Sequence, residues 1–394
     1  MEQTPFSQDP PLGVPPPLPP APPVITPPPP SRPRKSRSWM IVAIILGIFL
    51  LFSVFWNFAL TASRAFGVRS HNFKTVSARE VGPKLDEGIL EDNGSRNKIA
   101  VINVDGIITS HEGDSAGNGM VDLIKAQLDR ASDDDRVKAV ILKVDSPGGE
   151  VMASDQINKA IRRFENDDDS VQPPRHGKPV VCSMGSLAAS GGYYISAPCR
   201  WIVADDLTLT GSIGVIMHGY NYRGLMDKVG IAPMTFKSGK FKDMLSPDRS
   251  TNEIPAEEHA MVQSLIDETF KKFKGVVREG RTAAHEKNKN EGHALKPDWE
   301  SLADGRVLSG TQAIEAGFVD QLGDFDDAVD RAEEITGISR ANLIEYQERY
   351  DISNFLSMFG ESGKSHDIKL DLGMDAPRLQ PGCLYFLSPS FVNY

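Results

Sequence analysis

Ser183-Met-Gly-Ser-Leu-Ala-Ala-Ser190-Gly-Gly-Tyr-Tyr-Ile-Ser196 is the stretch on which the fold turns. Just before it, Pro179 to Ser183 is a short apolar run with the composition of a buried strand. Within it, Ala188 to Ser196 reads as a short helix. A strand that passes through small residues into a helix marks one unit of an alternating α/β chain.

The alternation extends in both directions. Ile99 to Val104, Val137 to Val144, Trp201 to Ala204 and Ile213 to Met217 read as strands, and Met120 to Leu128 and Ile157 to Phe164 have helical periodicity. Crossover connections of this kind predict a largely parallel sheet with flanking helices. In such sheets ligands bind at the carboxyl ends of strands. Two glycine-rich turns fall there: Asp145-Ser-Pro-Gly-Gly149 after one strand, and Gly185 to Gly192 after another.

Paired glycines at a strand end can aim backbone N–H groups at an oxygen that gains negative charge. Gly148 or Gly149 supplies one such donor, and Gly191 the other. Among Ser146, Ser183, Ser186, Ser190 and Ser196, only Ser190 is followed by two glycines at the start of a helix. That placement makes Ser190 the candidate nucleophile, with Ser186 next.

Asp145 to Glu150, Ser183 to Ser196, Thr210-Gly-Ser-Ile-Gly-Val215 and Lys237-Ser-Gly-Lys-Phe-Lys-Asp243 together resemble the successive signatures of the signal peptide peptidase A (SppA) family of serine peptidases. The likeness runs from about Ile99 to Ala332. It implies a ClpP/crotonase-like fold, a Ser-Lys dyad, and homo-oligomeric rings acting on hydrophobic peptides such as cleaved signal peptides. The family's nucleophile falls on Ser190, its base on Lys242, and its oxyanion turn on Gly148 and Gly149, with Gly149 the preferred donor.

The histidines share no motif with the glycine turns, and only His111 and His218 are worth testing as a triad base. A lysine serves instead if burial lowers its pKa towards neutrality. Lys242 is therefore expected in an apolar pocket walled by Phe241 and Met244, with Lys237 and Lys240 as ordinary exposed lysines.

Other chemistry is disfavoured. A net charge of -10 does not suit a nucleic-acid binder. No GxGxxG or GxxxxGK[ST] spacing suggests a nucleotide. The three cysteines have no metal-ligand spacing, so neither metal nor cofactor is expected, although a Cys182–Cys199 bridge is open. Two rivals remain: a crotonase-like acyl-CoA enzyme, and a non-catalytic membrane scaffold.

The chain begins with proline runs such as Pro27 to Pro30, which predict a disordered head over residues 1–38. Residues 39–62 lack charge and are long enough, as a helix, to cross roughly 30 Å of hydrocarbon. They are expected to be a transmembrane signal anchor in a cell membrane. Arg32, Arg34, Lys35 and Arg37 predict a cytoplasmic N-terminus, with the catalytic body on the opposite side. A polar stalk over 63–95, the peptidase body over 96–345 and a C-terminal tail over 346–394 complete the expected layout, the tail with no chemistry assigned. Pro255 to Arg281 predicts an amphipathic helix, and Thr311 a helix cap.

Overall fold

The structure, a computed structural model, describes residues 46–47, 50–51, 83–110, 119–168, 170, 176–348 and 383–387. Contacts divide the chain into Met1–Thr75 and Val76–Tyr394. In the first unit, Leu46, Gly47, Leu50 and Leu51 are helical, and the rest of the expected anchor and the head lie outside the described residues. Among the described residues, no helix is long and apolar enough to cross a membrane.

In the second unit, alternating strand and helix sequences build one mixed sheet. Its strands are β1 (Leu85–Glu91), β2 (Lys98–Asp105), β3 (Val137–Ser146), β5 (Val180–Ala189), β6 (Trp201–Ala204), β7 (Leu209–Gly211), β8 (Val307–Ser309), β9 (Gln321–Leu322) and β10 (Asn342–Glu348). The main path runs β1-β10-β2-β3-β5-β6-β9, with β7 on the end of β5 and β8 on β7. From β10 to β9 all pairings are parallel, while β1 is antiparallel on β10 and β8 antiparallel on β7. β4 (Gly148–Glu150) and β11 (Tyr385–Leu387) form a separate antiparallel pair.

The helices are α1 (Met120–Asp133), α2 (Val151–Glu165), α3 (Gly191–Ser196), α4 (Arg223–Lys228), α5 (Ala256–Lys287), α6 (Gly310–Ala316) and α7 (Phe325–Thr336). The central strands are apolar on both faces because both are covered, as a parallel sheet requires. Ile124, Leu128, Ile157 and Ile161 of α1 and α2 pack with Ile102, Val140 and Leu142 on one face. Ala328 and Ala332 of α7 pack with Ile99, Ile141, Val181 and Val203 on the other.

Several expectations change. Ile213 to Met217 is not a strand, because the chain already forms β7 at Leu209–Gly211. Ala188 and Ala189 end β5, so the helix begins only at Gly191. Leu85–Glu91, placed in the stalk, is a sheet strand, and β10 carries the sheet to Glu348. The tail also returns as β11. The cap at Gly310–Ala316 is Ser309, which forms a capping box with Gln312, while the Thr311 hydroxyl donates to the Asp206 carbonyl at 3.4 Å. Cys182, Cys199 and Cys383 are all free thiols.

Candidate active site

β3 and β5 run side by side, with Ser146 in register with Ala188, so the two glycine turns emerge at one end of the sheet. Each side chain of Asp145-Ser-Pro-Gly-Gly-Glu150 that bonds here fixes this junction. Asp145 Oδ1 accepts from the Leu187 N–H at 3.1 Å and ties the first turn to β5. The Ser146 hydroxyl accepts from the Gly148 N–H at 3.1 Å and shapes the turn. The Glu150 carboxylate accepts from the Ser110 N–H at 3.0 Å and from its hydroxyl at 2.6 Å, which holds the preceding loop.

That loop lies on one edge of β4: the Ile108 N–H donates to the Gly148 carbonyl at 2.9 Å, and the Glu150 N–H to the Ile108 carbonyl at 2.8 Å. The backbone N–H of Gly149 therefore faces the opposite edge, as strand geometry demands. Gly148 has φ 99, open to glycine and rarely adopted by other residues. A Cβ on Gly191 would lie 3.0 Å from both Gly148 Cα and Gly149 N, so the three glycines meet in one place.

Ser190 joins β5 to α3 with φ 55 and ψ -113, outside the favoured regions for a residue with a side chain. Its N–H donates to the Gly211 carbonyl at 2.8 Å, and its carbonyl accepts from the Tyr194 N–H at 2.8 Å. Such a backbone costs on the order of 1–3 kcal/mol and persists where surrounding structure enforces it, often at functional sites. Ser190 is 1% exposed, and among the described residues its hydroxyl has no hydrogen-bond partner.

Lys242 departs from expectation. It is exposed and not in an apolar pocket, with Phe241 and Met244 only partly covered. Its segment bonds to itself and to the start of α5: the Tyr222 N–H donates to the Pro247 carbonyl, Lys237 pairs with Asp243, and Arg249 pairs with Glu258 of α5. Met234 is 81% and Phe236 90% exposed, a few residues before Lys242 in the chain. The structure thus brings Ser190, Gly148, Gly149 and Gly191 together and leaves Lys242 exposed. Ser186 and His218 are exposed, and His111 lies outside the described residues.

Two features escape a reading of the motifs. The Ser154 hydroxyl on α2 is buried without a partner, 2.8 Å from where a Cβ on Gly191 would lie. Tyr194, one turn after Ser190, stacks on Phe386 of β11 with ring centroids 4.7 Å apart and meets Phe273 of α5 edge-on at 5.0 Å. The helical spacing of Ser190 and Tyr194 was visible in sequence, but the identity of the facing residues was not.

Asp155 anchors Tyr194. Its carboxylate accepts from the Tyr194 hydroxyl at 2.9 Å and pairs with Lys159 and Lys272, each at 2.7 Å. Burial pushes the Asp155 carboxyl up, but hydrogen bonds from Lys159, Lys272 and Tyr194 outweigh it and hold the group below the usual range. A depressed carboxylate adds stability that is present above its unfolded value of about 3.9 and is lost as pH falls through the folded value. Asp155→Asn is expected to cost about 1–3 kcal/mol at pH 7. The deficit should shrink below about pH 4, where the wild type loses the same contribution. Denaturant melts at pH 7 and pH 3 check both the size and the sign.

Comparison with known proteins places the chain in a family. Residues 174–339 match the model of Peptidase family S49. A protein of Enterococcus faecium carrying the signal peptide peptidase SppA name is 36% identical over 70% of this chain and 73% of its own. Protease 4 of Haemophilus influenzae is 34% identical over 62% of this chain and 36% of its own length. The chloroplastic serine protease SPPA of Arabidopsis thaliana is 28% identical over 68% and 37%. The chain is therefore a serine protease of Peptidase family S49. Within that family, it belongs with the SppA proteases.

Proposed function

We propose that this chain is a membrane-anchored endopeptidase that cuts hydrophobic peptides, such as cleaved signal peptides, with Ser190 as nucleophile and Lys242 as general base. The observation that carries the reading is the strained, buried Ser190 beside the convergent Gly148, Gly149 and Gly191. Ser190 Oγ attacks the peptide carbonyl, and the Gly149 and Gly191 amides, with Gly148 shaping the turn, stabilise the resulting oxyanion. Neither metal nor nucleotide is required by this chemistry.

A second copy completes the site in this reading. A lysine base works from a site shielded from water, and Lys242 is exposed in the single chain, so docking of its segment against a neighbouring copy would supply the missing cover. Met234 and Phe236, exposed a few residues earlier in the chain, supply apolar surface for such docking in a homo-oligomeric ring. Residues 39–62 would anchor the ring in the bilayer, with the head cytoplasmic and the catalytic domain on the other side.

Turnover of an apolar peptide by the full chain in detergent tests the assignment. Lys242→Ala is expected to lower kcat/KM by about 100-fold or more. Mixing it with inactive Ser190→Ala should restore activity, since mixed rings pair an intact Ser190 with an intact Lys242. Undiminished turnover by Lys242→Ala would remove it as the base, and failure of the mixture to recover would place both residues in one chain.

A further inference from the structure

Three polar side chains of α2, Ser154, Asp155 and Asn158, are buried where this helix meets α3. Two of them are spent on Tyr194: Asp155 accepts from its hydroxyl at 2.9 Å, and the Asn158 side-chain N–H donates to its carbonyl at 2.9 Å. Ser154, one turn before Asn158, faces Gly191 instead. Among the described residues its hydroxyl has no hydrogen-bond partner.

The ordinary outlets of a helical serine are unused. Such a hydroxyl commonly turns to solvent or bonds the carbonyl four residues back, here Glu150. Ser154 is fully buried and makes no such bond. An unpaired buried hydroxyl destabilises a fold, and each one in a native structure calls for a reason.

The neighbours supply that reason. The point where a Cβ on Gly191 would lie is 2.8 Å from Ser154 Oγ and 3.0 Å from Gly149 N. The hydroxyl and the Gly149 amide therefore flank one spot beside Gly191, whose own amide follows the nucleophile. These are the two amides assigned to the oxyanion.

We infer that Ser154 is a third oxyanion donor, idle in the resting enzyme and engaged only while the tetrahedral intermediate exists. This rests on Ser190 being the nucleophile. When Ser190 Oγ bonds to the peptide carbonyl carbon, the C=O π pair moves onto oxygen and the serine proton passes to the base. The oxyanion accepts from the Gly149 and Gly191 N–H groups and from the Ser154 O–H, which keeps its proton throughout. These bonds slacken as the carbonyl re-forms, the peptide C–N bond breaks and the base gives its proton to the leaving amine. A donor left unpaired in the ground state stabilises the transition state differentially, so it raises kcat without tightening substrate binding.

Kinetics of the full chain in detergent, with an apolar peptide and with the matching peptide aldehyde, test this. The aldehyde adds to Ser190 as a tetrahedral hemiacetal. Ser154→Ala is expected to lower kcat by on the order of 10- to 100-fold and to weaken aldehyde binding by a similar factor. Binding of the uncleaved peptide, measured in Ser190→Ala with and without Ser154→Ala, should stay within about twofold. The melting temperature of Ser154→Ala should equal or exceed that of wild type, because an unpaired buried hydroxyl is removed. Ser154→Cys fills the site with only a weak donor and should lose kcat as well. Wild-type kcat in either variant, or equal weakening of aldehyde and uncleaved peptide, overturns the inference; with Ser190→Ala inactive, the peptidase reading still stands. If Ser190→Ala keeps wild-type turnover, both fall.

Discussion

Ser190→Ala is expected to lower kcat/KM for an apolar peptide by about four orders of magnitude or more, the scale seen when a serine nucleophile is removed. The fold should survive, because alanine carries the same Cβ through the same φ of 55. Ser190→Gly sharpens the point. Glycine enters that conformation without a Cβ clash, so this variant should be equally inactive and about 1 kcal/mol more stable than wild type. Stability gained as activity is lost is the mark of strain retained for chemistry. Steady-state kinetics and denaturant melts on the three proteins check it. A Ser190→Gly variant less stable than wild type would show that the conformation is not strained.

Gly149→Ala carries the second large effect. A Cβ there would lie 2.0 Å from the Ile108 carbonyl oxygen and 2.6 Å from its nitrogen. Both are backbone atoms, so no side chain can swing aside. The Ile108–Gly148 and Glu150–Ile108 hydrogen bonds must break or β4 must shift. At about 1 kcal/mol for each bond plus the buried groups left unpaired, a loss of several kcal/mol is expected. The same shift turns the Gly149 amide from its target, and losing one oxyanion donor costs roughly 100-fold or more in kcat. Kinetics and melts together separate the two effects. Activity within a few-fold of wild type would remove Gly149 from the site.

Much of the body was readable because its signals are local. Strand-helix alternation around Val137 to Ser196 gave the α/β class, and the position of Ser190 ahead of two glycines singled it out among neighbouring serines. Ile213 to Met217 misled because an apolar run at this length does not say whether a partner strand is present, and Leu209–Gly211 had already taken the place beside β5. Leu85–Glu91 escaped for the opposite reason: its polar sequence suits an edge strand whose pairing comes from β10, far along the chain. Tyr385–Leu387 shows the same limit, since its apolar run is plain but its partner, Gly148–Glu150, is remote in sequence. The Lys242 motif was legible and its surroundings were not, because the burial that a lysine base needs belongs to tertiary or quaternary contacts.

The central claim is that Ser190 forms the covalent bond. Trapping a turnover of the full chain with acid, followed by mass mapping, tests it without any substitution. An acyl group from the peptide should appear on Ser190 in proportion to the active fraction. An actively turning-over enzyme with Ser190 unmodified and the acyl group on another residue would contradict the account.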